Sequence, residues 1–194
     1  MKLSERKLQK KKHEIILSAV KIVNQKGYQG ATMEEIAAEL LMTKGSLYYY
    51  FKNKEDLIFQ CHEMVLGQAI NKLQDYINED ISNEQKLRKM IASHIRYAIE
   101  EKETFNMIIK PDETFSKDQL SPILNKRNEY ASWFDQVIQK GIAEGDFRIK
   151  EPKIARMILL GSMNWIQQWY KVNGDKTIED IQAIYADYLI KVVK

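Results

Sequence analysis

What this chain has little of already narrows it. There is one cysteine, Cys61, so no intramolecular disulfide can form and no second thiol stands ready to share a metal ion. A reducing, cytoplasmic setting is expected. Only three prolines and eight glycines punctuate 194 residues, and strand-like alternation is missing, which together predict an all-α chain. The apolar run after the basic opening MKLSERKLQKKKHE is interrupted by Lys21, so neither a secretory signal nor a membrane span is expected. His13, His62 and His94 are scattered. Cys61 and His62 adjoin, but neighbours on a helix point about 100 degrees apart and form no nucleophile-base pair. With no carboxylate pair, glycine-rich phosphate loop or metal-ligand cluster, the sequence predicts neither an enzyme, nor a cofactor, nor a metal site.

The most informative stretch runs from Thr32 to Phe51, TMEEIAAELLMTKGSLYYYF. Thr32 followed by Glu35 is a capping box that opens one short helix, and Thr43 caps a second. Ile36, Leu40, Met42, Leu47 and Tyr50 are spaced to converge between them, and Ala37 is small enough for a close crossing. Outside remain Thr43, Lys44, Gly45, Ser46, Tyr48 and Tyr49, a polar and aromatic ridge of the size that enters a DNA major groove. Thr43, Lys44, Ser46 and Tyr49 are the candidate base readers, with Lys44 the best donor to guanine. Thr32, Tyr48 and Lys54 are expected to anchor phosphates, Lys54 with help from a helix N-terminus. Charge agrees with this reading: residues 1–54 hold 11 Lys+Arg against 5 Asp+Glu, the remainder 19 against 22.

Helical periodicity continues on both sides. Ile15, Ile16, Ala19, Val20, Ile22 and Val23 predict a first helix over 7–25, stopped by Gly27. Asn53 with Glu55 and Asp56 opens a long helix to about Asp80. Ser82 with Gln85 begins the next. A short apolar helix follows from Thr104, closed by Pro111, and Ser121 with Pro122 is expected to open a helix running to Gly145. Pro152 starts a helix through Trp169 that is apolar around most of its circumference and must be covered on more than one side. Thr177 with Asp180 caps the last. About nine helices result, in two parts: residues 1–54 for DNA, and residues 55–194 for a ligand and for dimerisation. The two terminal helices suggest a self-associating surface, with Ile158, Ile166, Ile181, Ile184, Tyr185, Tyr188 and Leu189 as its candidates. Aromatic and methionine residues could line an apolar cavity, the candidates being Phe105, Met107, Tyr130, Trp133, Phe134, Gly161 and Trp165. Asn164 and Gln168, amides on an apolar helix, need partners that a polar ligand group would supply.

The segment TMEEIAAELLMTKGSLYYYFKNKEDL (32–57) resembles the TetR family of bacterial transcription regulators, and the helical layout beyond it, the turn EGDFR (Glu144 to Arg148) included, is similar. The resemblance implies a homodimer joined by the last two helices of each subunit, and a C-terminal ligand pocket that displaces the recognition helices. Gly161 to Tyr170, GSMNWIQQWY, looks like regulators of fatty-acid and sterol catabolism, which implies a small apolar effector of the acyl-CoA kind and a palindromic operator in double-stranded DNA. The rival expectation is a ligand-independent, DNA-bound structural or cell-cycle protein that gives its C-terminal surface to a protein partner. A ligand-sized cavity separates the two. The chain departs from the family at Leu41, where glycine is usual.

Overall fold

The structure, a computed structural model, describes the backbone of residues 3–109 and 115–194 and the side chains of residues 5–106 and 115–194. Among the described residues the regular structure is helical: α1 (Leu3–Gly30), α2 (Met33–Glu39), α3 (Lys44–Tyr48), α4 (Lys54–Asn78), α5 (Asn83–Glu100), α6 (Lys102–Ile109), α7 (Lys117–Ala143), α8 (Pro152–Asn164), α9 (Ile166–Trp169) and α10 (Ile178–Ile190). Pro111, expected to close the sixth helix, lies outside the described residues.

Local chemistry explains most of the boundaries. Thr32 and Glu35 cap each other's backbone N–H groups, as do Ser82 with Gln85 and Thr177 with Asp180. Asn53 accepts from the Asp56 amide at 2.8 Å, and Glu55 and Asp56 sit in the first turn of α4 where its dipole favours them. Gly27 takes φ +73 and breaks the continuity of α1 near its end. Gly145 takes φ +83 in the turn after α7, and the ring of Phe147 folds back so tightly on Gly141 that no β-carbon would fit there.

The largest departures from expectation are at three helices. Helix α1 spans Leu3–Gly30 rather than 7–25, and the left-handed Gly27 kinks it instead of ending it. Helix α7 begins at Lys117, not at Pro122, because Ser116 and Gln119 form a capping box and Pro122 falls inside the helix. Its missing N–H forfeits only the bond to the Asp118 carbonyl, which a helix otherwise well packed tolerates. The apolar helix from Pro152 does not run through to Trp169. It ends at Asn164, and α9 continues after a break at Trp165.

Two apolar clusters hold the chain. Ile15, Ala19, Val23, Ile36, Leu47, Phe51, Leu57 and Ile58 form the first, closing α1 to α3 on the start of α4. Leu87, Met90, Ile91, Ile95, Phe134, Ile138, Leu159 and Ile166 form the second, among α5, α7, α8 and α9. Each fully buried side chain of this size contributes roughly 2 kcal/mol. Helix α4 belongs to both: its residues through Ile70 pack in the first cluster and Leu73 in the second, so one continuous rod joins them. Arg88 and Arg96 of α5 tie α10 down through Asp187 and Glu179, each at 2.7 Å.

Candidate functional site

Helix α3 presents the ridge expected from its sequence. Leu47 is its one buried residue, pinned in the first cluster, and this pivot turns Lys44, Gly45, Ser46, Tyr48 and Tyr49 outward. Tyr49 is the most exposed of its aromatic residues at 76%, and its ring stands edge-on to Tyr50 at 5.1 Å. Thr43 accepts from the Ser46 amide at 3.1 Å, and the two hydroxyls lie 2.8 Å apart, so both serve the helix cap. Lys44 pairs with Glu34 of α2 and leans on the Tyr48 ring; the bond to Lys44 holds the Glu34 carboxyl below its ordinary range. Thr32 is half-buried, and its hydroxyl belongs to the capping box.

Lys54 is placed elsewhere. Rather than facing outward as a phosphate anchor, its ammonium donates to the Tyr28 carbonyl and sits 4.1 Å from the centroid of the Tyr28 ring. Burial pulls its pKa down. It braces the end of α1 against the start of α4, a role invisible in sequence because Tyr28 is 26 residues away. Lys12 of the basic arm lies 5.3 Å from the Phe51 ring centroid and so reaches the same three-helix head. Between α2 and α3, Leu41 takes φ +53 with its side chain 96% exposed: the turn keeps the left-handed conformation, and a branched residue bears it.

The second feature is a cavity of about 250 Å³ among α4 to α8. Leu66, Ala69, Leu124, Ala131 and Leu160 are apolar walls. Arg127, Asn128 and Arg156 also line it, and exposed Leu124 and Asn128 mark its opening. Its floor is polar. His94, buried in the middle of α5, has Nδ1 at 3.0 Å from the Tyr130 hydroxyl and Nε2 at 3.0 Å from Asn164 Oδ1. With an amide oxygen facing it, Nε2 carries the proton, and the Tyr130 O–H donates to Nδ1. Burial lowers the His94 pKa to about 4, partly offset by the bond to Asn164, and the ring is neutral near pH 7.

Of the residues expected to line a cavity, Phe105, Tyr130 and Asn164 do. Phe134 stands behind the floor, edge-on to His94 at 6.4 Å, and Trp133 packs between the two clusters with its Nε1 buried and unpartnered. Gly161, Trp165 and Gln168 are exposed on the outside of α8 and α9, with Trp165 at 65%: the helix turns these positions away from the cavity. The Met107 side chain lies outside the described residues. His94 was readable only as one member of a buried stripe with Leu87, Met90 and Ile91, where a titratable group is the informative exception.

The terminal helices show a similar division. Ile166, Ile181 and Leu189 face their own chain's core, which corrects their placement on a shared surface. Ile158 and Tyr188 are exposed, Ile184 and Tyr185 half-buried. Beside them Ile154, Met157, Trp165 and Trp169 are exposed too, and Trp169 stacks on Tyr185 at 6.2 Å. The outer face of α8 is thus apolar and uncovered within a single chain.

A capped three-helix head with an outward polar ridge, joined by one rod to a helical body with a cavity, defines a helix-turn-helix DNA-binding regulator. Residues 15–61 match the bacterial regulatory proteins of the tetR family, and residues 80–193 match the tetracyclin repressor-like C-terminal domain. The chain belongs to the TetR family of transcription regulators. It is 26% identical over 170 residues to the fatty acid metabolism regulator protein of Bacillus subtilis (strain 168), covering 84% of this chain and 84% of that one. The structure of FadR from Bacillus subtilis in complex with stearoyl-CoA superposes with a TM-score of 0.75 at 21% identity, over 94% of this chain and 99% of the other. AibR in complex with isovaleryl coenzyme A and operator DNA gives 0.75 at 22% identity, over 94% and 97%. At these identities the structural likeness speaks to the fold. No described helix is long and apolar enough to cross a membrane.

Proposed function

We propose that this chain is a cytoplasmic, homodimeric repressor that leaves a palindromic operator when an acyl thioester enters the cavity. Thr43, Lys44, Gly45, Ser46, Tyr48 and Tyr49 form the DNA-facing ridge in this reading, with Thr32 beside it. Residues 1–54 serve DNA and residues 55–194 serve the effector and the dimer.

The observation that carries the reading is the composition of the cavity: apolar walls, a small polar floor, and two guanidinium groups in its lining. An acyl chain suits the walls, and the phosphates of a coenzyme A head suit arginines. Arg156 is held in place by Asp135 at 2.8 Å. A dry cavity of about 150 Å³ takes benzene, so one of 250 Å³ holds on the order of ten heavy atoms. The chain of a short acyl group fits inside while the head stays at the opening. The relatives named above support this class, two of them bearing acyl-coenzyme A ligands. A cavity of this kind has no part in a ligand-independent scaffold, which weighs against the rival reading.

Coupling has a physical route. Leu66 and Ala69 line the cavity on the same helix, α4, whose Leu57 and Ile58 hold the DNA-binding head. An effector favoured by a cavity shape that tilts α4 shifts the population away from the DNA-bound form, and only by its differential affinity. The apolar outer face of α8, with Tyr188 of α10, supports a second copy as its cover. Selecting a duplex from a random pool and then titrating butyryl-, hexanoyl- and stearoyl-coenzyme A into the complex tests the function; an operator that stays bound throughout rejects the effector class. Trp165→Glu is expected to give a monomer by light scattering, and a persisting dimer rejects the interface.

A further inference from the structure

Residues 5–14 set Arg6, Lys7, Lys10, Lys11 and Lys12 against Glu5 and Glu14, an excess of +3 that equals the net charge of the whole chain. The structure makes this stretch the first turns of α1 and leaves it outside the packed head. Buried packing of α1 begins at Ile15, and residues 5–14 are exposed or half-buried. Lys11 pairs with Glu14 at 3.2 Å, but Arg6, Lys7 and Lys10 meet no acidic side chain among the described residues. The stretch also lies ahead of the family-matched residues 15–61.

Two contacts fix where this arm leaves the head. Asn24 of α1 bonds to Thr104 at the body, and Lys12, about three turns earlier, lies over the ring of Phe51, just past Tyr49 of the ridge. Helix α1 has no non-helical residue before Gly27, so the same rod carries on beyond Phe51. Residues 3–11 extend it by about 14 Å, roughly the length of four base pairs. The arm therefore departs from the end of the head where α3 finishes, on the far side from the body. Standing alone it is unfavourable: its cations sit at the positive end of a helix, and Lys10 is one turn from both Arg6 and Lys7. A polyanion beside the head relieves both penalties, and the duplex that receives the ridge is one. We propose that Arg6, Lys7 and Lys10 bind phosphates of the operator duplex just outside the bases that α3 reads, adding affinity without sequence preference. The inference rests on the DNA-facing ridge and extends it.

The test measures binding to the selected operator and to random duplex over a salt series, for the unsubstituted chain and for a triple variant, Arg6→Gln with Lys7→Gln and Lys10→Gln. Glutamine keeps the helix propensity, and circular dichroism melting verifies that the variant is folded. The slope of log affinity against log salt is expected to drop by about 2–3, at about 0.9 per lost phosphate contact, and operator affinity near about 0.1 M salt to fall about tenfold or more. The ratio of operator to random affinity is expected to stay within about twofold, unlike that of Lys44→Ala. An operator cut back to its selected bases is expected to bind the unsubstituted chain as weakly as the variant, and the variant is expected to be indifferent to the cut. An unchanged slope marks the arm as solvated surface and overturns the inference. So does a drop that is the same on intact and trimmed operators, since the charge then acts from a distance. No duplex bound by the unsubstituted chain at any salt overturns the DNA-facing ridge itself, and this inference with it.

Discussion

Thr104 donates to the Asn24 side-chain oxygen twice, from its backbone N–H at 3.1 Å and from its hydroxyl at 3.0 Å, while its neighbour Phe105 lines the cavity. Asn24 belongs to α1, in the DNA-binding head, and its amide N–H reaches back to Glu101 at the end of α5. The part of the cavity lining that Phe105 supplies is thereby fastened to the head by a route separate from α4. Asn24→Ala is expected to leave the chain folded and able to bind operator, and to shrink the change in operator affinity at saturating effector by about fivefold. Thr104→Val should do the same. Coupling that is unaltered in both variants would show that α4 alone carries the signal.

At Leu41 the left-handed backbone and the 96% exposed side chain leave strain with no compensating contact in the chain. Leu41→Gly is expected to stabilise the protein by about 1 kcal/mol, seen as a rise of roughly 2–4 °C in thermal midpoint. A fall in the midpoint would mean that the extra freedom of glycine in the unfolded chain outweighs the relief.

Lys44 and Lys54 separate two kinds of effect. Lys44 is exposed on the ridge beside Glu34, so Lys44→Ala should weaken operator binding and relax sequence preference, measured against operator and random duplex. Lys54 is braced on Tyr28, so Lys54→Ala should cost about 1 kcal/mol of stability through the lost bond and ring contact. An unaltered melting curve together with a flattened salt dependence of DNA binding would return Lys54 to the phosphate contacts.

His94 and His62 are both buried, and burial lowers the pKa of each to about 4; Arg127 and Lys126 add to the effect at His62. The unfolded chain, with histidines near their ordinary pKa of about 6.5, binds more protons than the folded one throughout the window between those values. Stability is therefore full above about pH 6.5 and falls as the pH drops toward 4, by on the order of 3 kcal/mol per histidine across the window. Urea unfolding at pH 7 and pH 5 checks this. His94→Gln should flatten the slope, and a slope unchanged in that variant would assign the dependence to other groups.

Much of this could be read before any coordinate. Thr32 with Glu35, Asn53 with Asp56, Ser82 with Gln85 and Thr177 with Asp180 each cap a helix within four residues, so the pattern and the bond are the same fact. The buried stripes of α1, α4 and α5 follow from a 3.6-residue period, and the outward ridge of α3 from the burial of Leu47 alone. Pro122 is no start signal here because Ser116 with Gln119 lies upstream and opens α7 at Lys117, five residues before the proline, which then sits in the helix interior.

The amino-acid order thus determined the helices, their ends and the DNA-facing ridge, because those depend on interactions among residues a turn or two apart. Only the tertiary structure decided that Lys54 turns in to Tyr28, that His94 links Tyr130 to Asn164, and that Ile166, Ile181 and Leu189 face inward while Trp165 faces out. On helices apolar around most of their girth, periodicity cannot separate the covered side from the open one. That choice belongs to neighbours brought together across tens of residues, where packing and the satisfaction of buried polar groups select a single arrangement.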